Sequence, residues 1–299
     1  MKRLLVLLVT LILISLPAFS TEVLEKEFRV KEGQKLDVNL KSGGSIQIIG
    51  WNKKVVYVKV YFKNDSTDEC NLELKQSGDV IKIESDFNAF QSGKCRSPEL
   101  EIQVPRRFDL KLKSMGGSIS IENVEGDIKG RTMGGNLNLS RLKGEIRMTT
   151  MGGKIILTDS DIDGYVKTMG GRVLLENVVG DIKGSSMGGN VVYRNVKSRK
   201  GKSTGKVVKI TTMGGSINVD KAVEGADVYT MGGDINIKYA GMFAKAKTMG
   251  GDISIDQIDG WVKATTMGGD IEVVMTGDPK KGKRDVELSS MGGDISLTV

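Results

Sequence analysis

Histidine is absent from this 299-residue sequence, cysteine occurs twice, proline four times and aromatic residues fifteen times. Without histidine there is no Ser-His or Cys-His nucleophile pair and no imidazole ligand for a metal. So few aromatics make a sugar-stacking cleft or a base-stacking platform a poor fit, and nucleic acid is not expected as a partner. Long hydrophobic runs are scarce as well. The one exception, Leu4 to Leu16, is shorter than the ~20 residues that span a bilayer. What is abundant is glycine, 39 residues of it, among plentiful β-branched and aliphatic side chains, which is not the composition of a disordered chain.

Residues 1–20 read as a secretory signal peptide. Lys2 and Arg3 open it, the apolar run follows, and Pro17-Ala18-Phe19-Ser20 supplies a small-x-small cleavage site before polar Thr21-Glu22. The mature chain is therefore expected in the periplasm or at the cell surface, with no transmembrane segment. Losing Lys2 and Arg3 lowers the formal net charge from +7 to +5, a mild excess that suits an anionic partner. In an exported chain the even pair Cys70 and Cys95 points to one disulfide; two free buried thiols are the alternative.

The triplet Met-Gly-Gly recurs ten times, at Met115, Met133, Met151, Met169, Met187, Met213, Met231, Met249, Met267 and Met291. Seven of the nine intervals are 18 residues, the signature of a stacked repeat. Four residues after the Met the side chain is always aliphatic (Ile119, Leu137, Ile155 and so on), and six after it is aliphatic or Tyr193. The residues between are mostly polar, so the period is two and each unit holds a half-buried strand after the triplet. The same alternation runs backwards from the Met, and Ser or Thr precedes it in every copy. Two short strands per unit result.

An antiparallel meander of some twenty short strands would have to close on itself to protect its edges. A parallel solenoid instead stacks each strand on its own copy, which explains why like residues recur at like positions. The expectation is an all-β, two-sided parallel β-solenoid of 18-residue coils, right-handed by the crossover rule, over residues 109–299. Residues 21–108 lack the triplet but stay β-rich and are expected to cap the first coil and carry the disulfide. Within them Ser42-Gly43-Gly44-Ser45-Ile46-Gln47-Ile48 looks like a degenerate copy of the unit. The last repeat strand stops at Val299, so its edge is expected to be open to a partner.

This degenerate copy, continuing through Ile49-Gly50-Trp51, together with the Thr-Met-Gly-Gly-Asp-Ile repeats, resembles the bacterial putative-adhesin family of β-strand-repeat proteins, a domain of unknown function. The resemblance covers nearly all of the mature chain and implies an adhesin-like repeat fold. It brings no catalytic residues.

Several features invite a sharper reading. A column of ten methionines suits Cu(I), or else serves as an apolar spine filling space beside a Gly-Gly turn with unusual dihedrals. Asp234, Asp252, Asp270 and Asp294, each directly after Gly-Gly, would either hold calcium between coils or accept bonds from nearby backbone amides. Four residues before the Met, seven of ten side chains are basic, beginning with Lys111, Lys129 and Arg147, so one face carries a cationic stripe. Two insertions, one with Lys200 and Lys202 and one with Lys280, Lys281, Lys283 and Arg284, add basic loops at the turn that lacks Met. Gly201-Lys202-Ser203 is not a P-loop, because Val196 stands where that motif requires glycine. Ile156, Leu174 and Val192 stack as outward aliphatics, a contact patch or a surface covered by another segment.

The resulting expectation is a non-enzymatic, exported, adhesin-like rod of the cell envelope, without cofactor or metal. Its basic loops would contact an anionic surface polymer, with a protein partner at the aliphatic patch. A calcium- or copper-binding repeat protein is the alternative, followed by a β-helical polysaccharide enzyme, for which no acid/base pair stands out from the repeat.

Overall fold

The computed structural model describes residues 22–62, 72–85, 97–197, 208–277 and 284–299. Among these residues there are 26 strands and no helix.

The strands form two parallel ladders. In the first, each strand before a triplet lies on its copy one coil away, so that Leu110, Ile128 and Ile146 stand in one column. In the second, the strands after the triplets align Ile119, Leu137, Ile155, Val173 and Val191. Ile217, Ile235, Ile253, Ile271 and Ile295 continue that column. The period-two alternation sets which side chains turn inward, and these columns are buried through every coil except the last. Each fully buried Ile, Leu or Val contributes roughly 1.5–3 kcal/mol, so a narrow core repeated over ten coils suffices. The parallel pairing excludes the antiparallel meander.

The ladders extend before the first triplet. Lys35–Leu40 and Ser45–Trp51 pair in parallel with Asp109–Ser114 and Ile119–Glu122, aligning Ile46 with Ile119. On their other side lie Val80–Ser85 and Glu99–Pro105, still parallel. Beyond these the direction reverses: Leu72–Ser77 on Val80–Ser85, Val55–Phe62 on Glu99–Pro105, and Glu22–Arg29 on Val55–Phe62 are all antiparallel.

The triplet turn has a different physical basis from the one its glycines suggest. None of the twenty triplet glycines lies in the left-handed region. The second glycine is required by close approach instead: a Cβ there would fall within 3 Å of the backbone of the preceding coil's turn. The first glycine has room for a side chain. The Ser or Thr before each Met also has a defined task. Its hydroxyl donates to the carbonyl of the second glycine one coil back, as from Thr132 to Gly117 (2.7 Å), Thr168 to Gly153 (2.7 Å) and Thr230 to Gly215 (2.9 Å). The same oxygen accepts the amide of its own coil's second glycine, for instance Gly171 to Thr168 at 3.2 Å. Buried backbone groups that a turn would leave unpaired are thereby satisfied.

At the opposite turn, Asn123, Arg141, Asp159, Asn177 and Asn195 hold left-handed backbone at 18-residue spacing. Asn and Asp tolerate that conformation best among residues with a side chain. Their side chains also stack, with Asn195 Nδ2 donating to Asn177 Oδ1 at 2.8 Å.

Candidate functional site

The described surface offers two adjoining features on the face of the first ladder. The stripe four residues before the Met is real as a column: Lys111, Lys129, Arg147, Tyr165 and Lys183 stand in register, outward. It is less cationic than its composition suggests. Lys111 pairs with Asp37 at 2.8 Å, Lys129 with Asp127, Arg147 with both Asp127 and Glu145, and Lys263 with Glu287 at 2.6 Å. These pairs are partly exposed and each is worth only about 0–1 kcal/mol. They screen the stripe without erasing it.

A second row of cations, nearer the Met turn, was missed in the sequence. Lys113 and Arg131 share a register position and join Lys111, Lys129 and Arg147 around a depression of about 270 Å³. Five cations thus meet three carboxylates there. The signal was available two residues before the Met, where Lys113, Arg131, Lys167 and Lys247 recur among Thr, Ser and Tyr229. Next to this depression, an open groove of about 670 Å³ runs across four coils between Arg131, Lys167 and Lys183 on one side and Met151, Met169, Met187 and Met213 on the other.

The methionines are the clearest departure from expectation. Nine of the ten triplet methionines are 37–78% exposed, so they do not fill space in the core. A methionine that does fill it is Met148, fully buried, whose thioether occupies the place a side chain at Gly130 would take. Tyr193 is a similar compensation. Its ring packs with Leu175 and Val173 close around the place of a Cβ on Gly184, at 3.2 Å from it, and its hydroxyl accepts the Gly184 amide at 2.6 Å. Burial pushes the Tyr193 phenol well above its ordinary range, so the ring stays neutral.

The aspartate ladder has a backbone role. Asp234, Asp252 and Asp270 each accept, through Oδ1, the amide of the equivalent residue in the next coil, at 3.1, 2.8 and 2.8 Å. Ser118, Asn136, Asn190 and Ser216 do the same in other coils, which is why the position favours short acceptors. No group of three His, Cys, Asp or Glu side chains suited to a metal exists among the described residues.

Of the basic insertions, Lys200, Lys202, Lys280, Lys281 and Lys283 lie outside the described residues, as do Cys70 and Cys95. Arg284 is described, and its guanidinium donates to the Gly277 carbonyl, closing the base of its loop. The flanks of both insertions sit at the turn opposite the methionines. Where the first enters, the ladder thins to a single aligned pair, Ser185 and Thr211. Ile156, Leu174 and Val192 do stack directly on one another. Ile156 and Leu174 are half-buried and Val192 is only 7% exposed, so the patch is narrower than three open aliphatics.

The Toastrack DUF4097 family model matches residues 14–299. No curated protein matches. Solved structures that resemble the chain include a putative adhesin from Parabacteroides merdae, 11% identical over 93% of this chain and 97% of that one, with a TM-score of 0.35. A putative lipid binding protein from Parabacteroides distasonis is 14% identical over 91% and 96%, also at 0.35. A putative adhesin from the same species is 12% identical over 93% and 98%, at 0.33.

Proposed function

The chain belongs to the Toastrack DUF4097 family, and on that premise we propose that it is a non-enzymatic, exported, adhesin-like rod that holds anionic polymers of the cell envelope against its cationic face. The observation that carries this reading is the depression ringed by Lys111, Lys113, Lys129, Arg131 and Arg147. A solenoid repeats such cations every ~4.8 Å on a rigid surface, so weak attractions to a repeating polyanion add along its length. The basic insertions enter four coils apart, or about 20 Å along the rod, and would add their charge there. The leader-like residues 1–20 support export, and a Cys70–Cys95 disulfide would belong to an oxidising compartment.

The test uses the mature chain and a soluble sulfated dextran, with neutral dextran as control. Binding should be present at 0.1 M salt, where the Debye length is ~10 Å, and nearly gone at 1 M, where it is ~3 Å. The variant K113Q/R131Q should bind several-fold more weakly, and further loss should follow when Lys200, Lys202, Lys280, Lys281 and Lys283 become Ser. Equal binding to both dextrans, or binding indifferent to salt, would remove the reading.

A further inference from the structure

The methionine column is left unused by the polyanion reading. Its side chains are apolar and exposed, yet the core behind them is complete without them, because the inward columns of both ladders are already buried. A contiguous exposed apolar row marks an interaction surface, and methionine is over-represented on surfaces that adapt to varied partners. Beside it stand Lys113, Arg131, Lys167 and Lys247, none of which forms an ion pair among the described residues; Lys167 lies over the Tyr165 ring at 4.6 Å. Arg131, Lys167 and Lys183 line the same groove as Met151, Met169, Met187 and Met213.

That juxtaposition discriminates between occupants. A soft metal cation would suit the thioethers but meet a row of like charge. An anionic amphiphile suits both, its apolar part against the methionines and its phosphate beside the cations. The groove lies open along the edge of successive coils, which fits an extended surface rather than one enclosed molecule. We propose that the methionine edge docks on the surface of an anionic lipid bilayer, with the thioethers at the headgroup–acyl boundary and the adjoining cations on lipid phosphates. This rests on the cationic face of the polyanion reading and names a second ligand for it.

The experiment is flotation of the mature chain with vesicles of phosphatidylcholine plus phosphatidylglycerol, and with phosphatidylcholine alone. Binding to the mixed vesicles should be at least about tenfold stronger. The variant M151Q/M169Q/M187Q/M213Q keeps side-chain length and every charge; it should fold, bind sulfated dextran as the parent does, and lose about tenfold on mixed vesicles. Peroxide footprinting gives a second readout, since exposed thioethers oxidise to sulfoxides. The vesicles should protect the column methionines but not Met242, which is 62% exposed and lies outside the column. Undiminished flotation of the glutamine variant, or equal oxidation of the column with and without vesicles, would overturn the inference. Failure on vesicles with dextran binding intact would refute bilayer docking alone, whereas failure of both would remove the polyanion reading too.

Discussion

Exchanging either glycine of one triplet for alanine separates two explanations of the turn. Gly232 and Gly233 are adjacent, and neither has a left-handed φ. A Cβ on Gly232 would come no closer than 3.8 Å to its nearest neighbour, the Met213 carbonyl oxygen, which is ordinary contact. A Cβ on Gly233 would lie within 3 Å of the Gly215 backbone and the Ser216 amide nitrogen, and backbone in a hydrogen-bonded ladder cannot step aside alone. Relieving that overlap means parting two coils. It would lengthen the bond from Thr230 to the Gly215 carbonyl and the one from the Asp234 amide to the Ser216 hydroxyl. Over-packing costs typically 1–3 kcal/mol, and a clash against backbone belongs at the upper end, so G233A should lose about 3 kcal/mol. G232A removes glycine's unfolded-state freedom at no steric cost and should be neutral or up to about 1 kcal/mol more stable. Urea unfolding followed by circular dichroism reads both, compared as midpoints because stacked repeats need not unfold in one step. Equal losses in the two variants would refute the close-approach account, since a turn governed by glycine dihedrals would penalise both.

Three further outcomes follow from the same geometry, and a fourth from the even cysteine pair in the sequence. I235D places an unpaired charge at a fully buried position and should cost about 3–5 kcal/mol, while N236D, its exposed neighbour, should change the urea midpoint little. T230V leaves the buried Gly215 carbonyl without its hydroxyl donor and should cost about 1–3 kcal/mol, whereas T230S should behave as the parent in the same titration. R141N relieves a left-handed arginine and should raise the melting point, by up to about 1 kcal/mol of stability, because the exposed pair with Glu122 that it gives up is worth little. Thiol labelling of denatured mature protein should find neither Cys70 nor Cys95 free, and two labelled thiols would count against both the disulfide and export.

The architecture was legible because one residue in two, at an 18-residue period, must be aliphatic to fill a shared core. Columns such as Ile217, Ile235 and Ile253 therefore announce a parallel ladder through their spacing alone. The Ser or Thr before each Met was visible as a pattern but not as a mechanism, since its acceptor lies 15 residues earlier in most coils. The methionines misled for a related reason. Apolarity implies burial only where no other side chain already fills the core, and the flanking columns fill it here. The stripe through Lys111, Lys129 and Arg147 was read from one column alone. Asp37 stands at the same register position one coil before Lys111, and Asp127 on the column two residues before Lys129, reaching Arg147 in the next coil, so much of the neutralisation emerges only when coils are stacked. Tyr193 and Met148 look like lapses in the aliphatic pattern, yet Met148 fills the hole left by Gly130, and Tyr193 packs beside Gly184 and accepts its amide.

Coil-on-coil stacking underlies every other statement, and excising one coil tests it most directly. Deleting residues 232–249 removes 18 residues and joins Met231 to Gly250, restoring a Met-Gly-Gly triplet and every ladder around it. A control deletion of residues 232–244 removes 13 and breaks the register of all later coils. Small-angle scattering with circular dichroism on both proteins gives the answer. The account predicts that the 18-residue deletion stays folded, with parent-like strand content per residue and a rod shorter by about 4.8 Å, while the 13-residue deletion loses the coils beyond the joint. Equal disruption by the two deletions would contradict it.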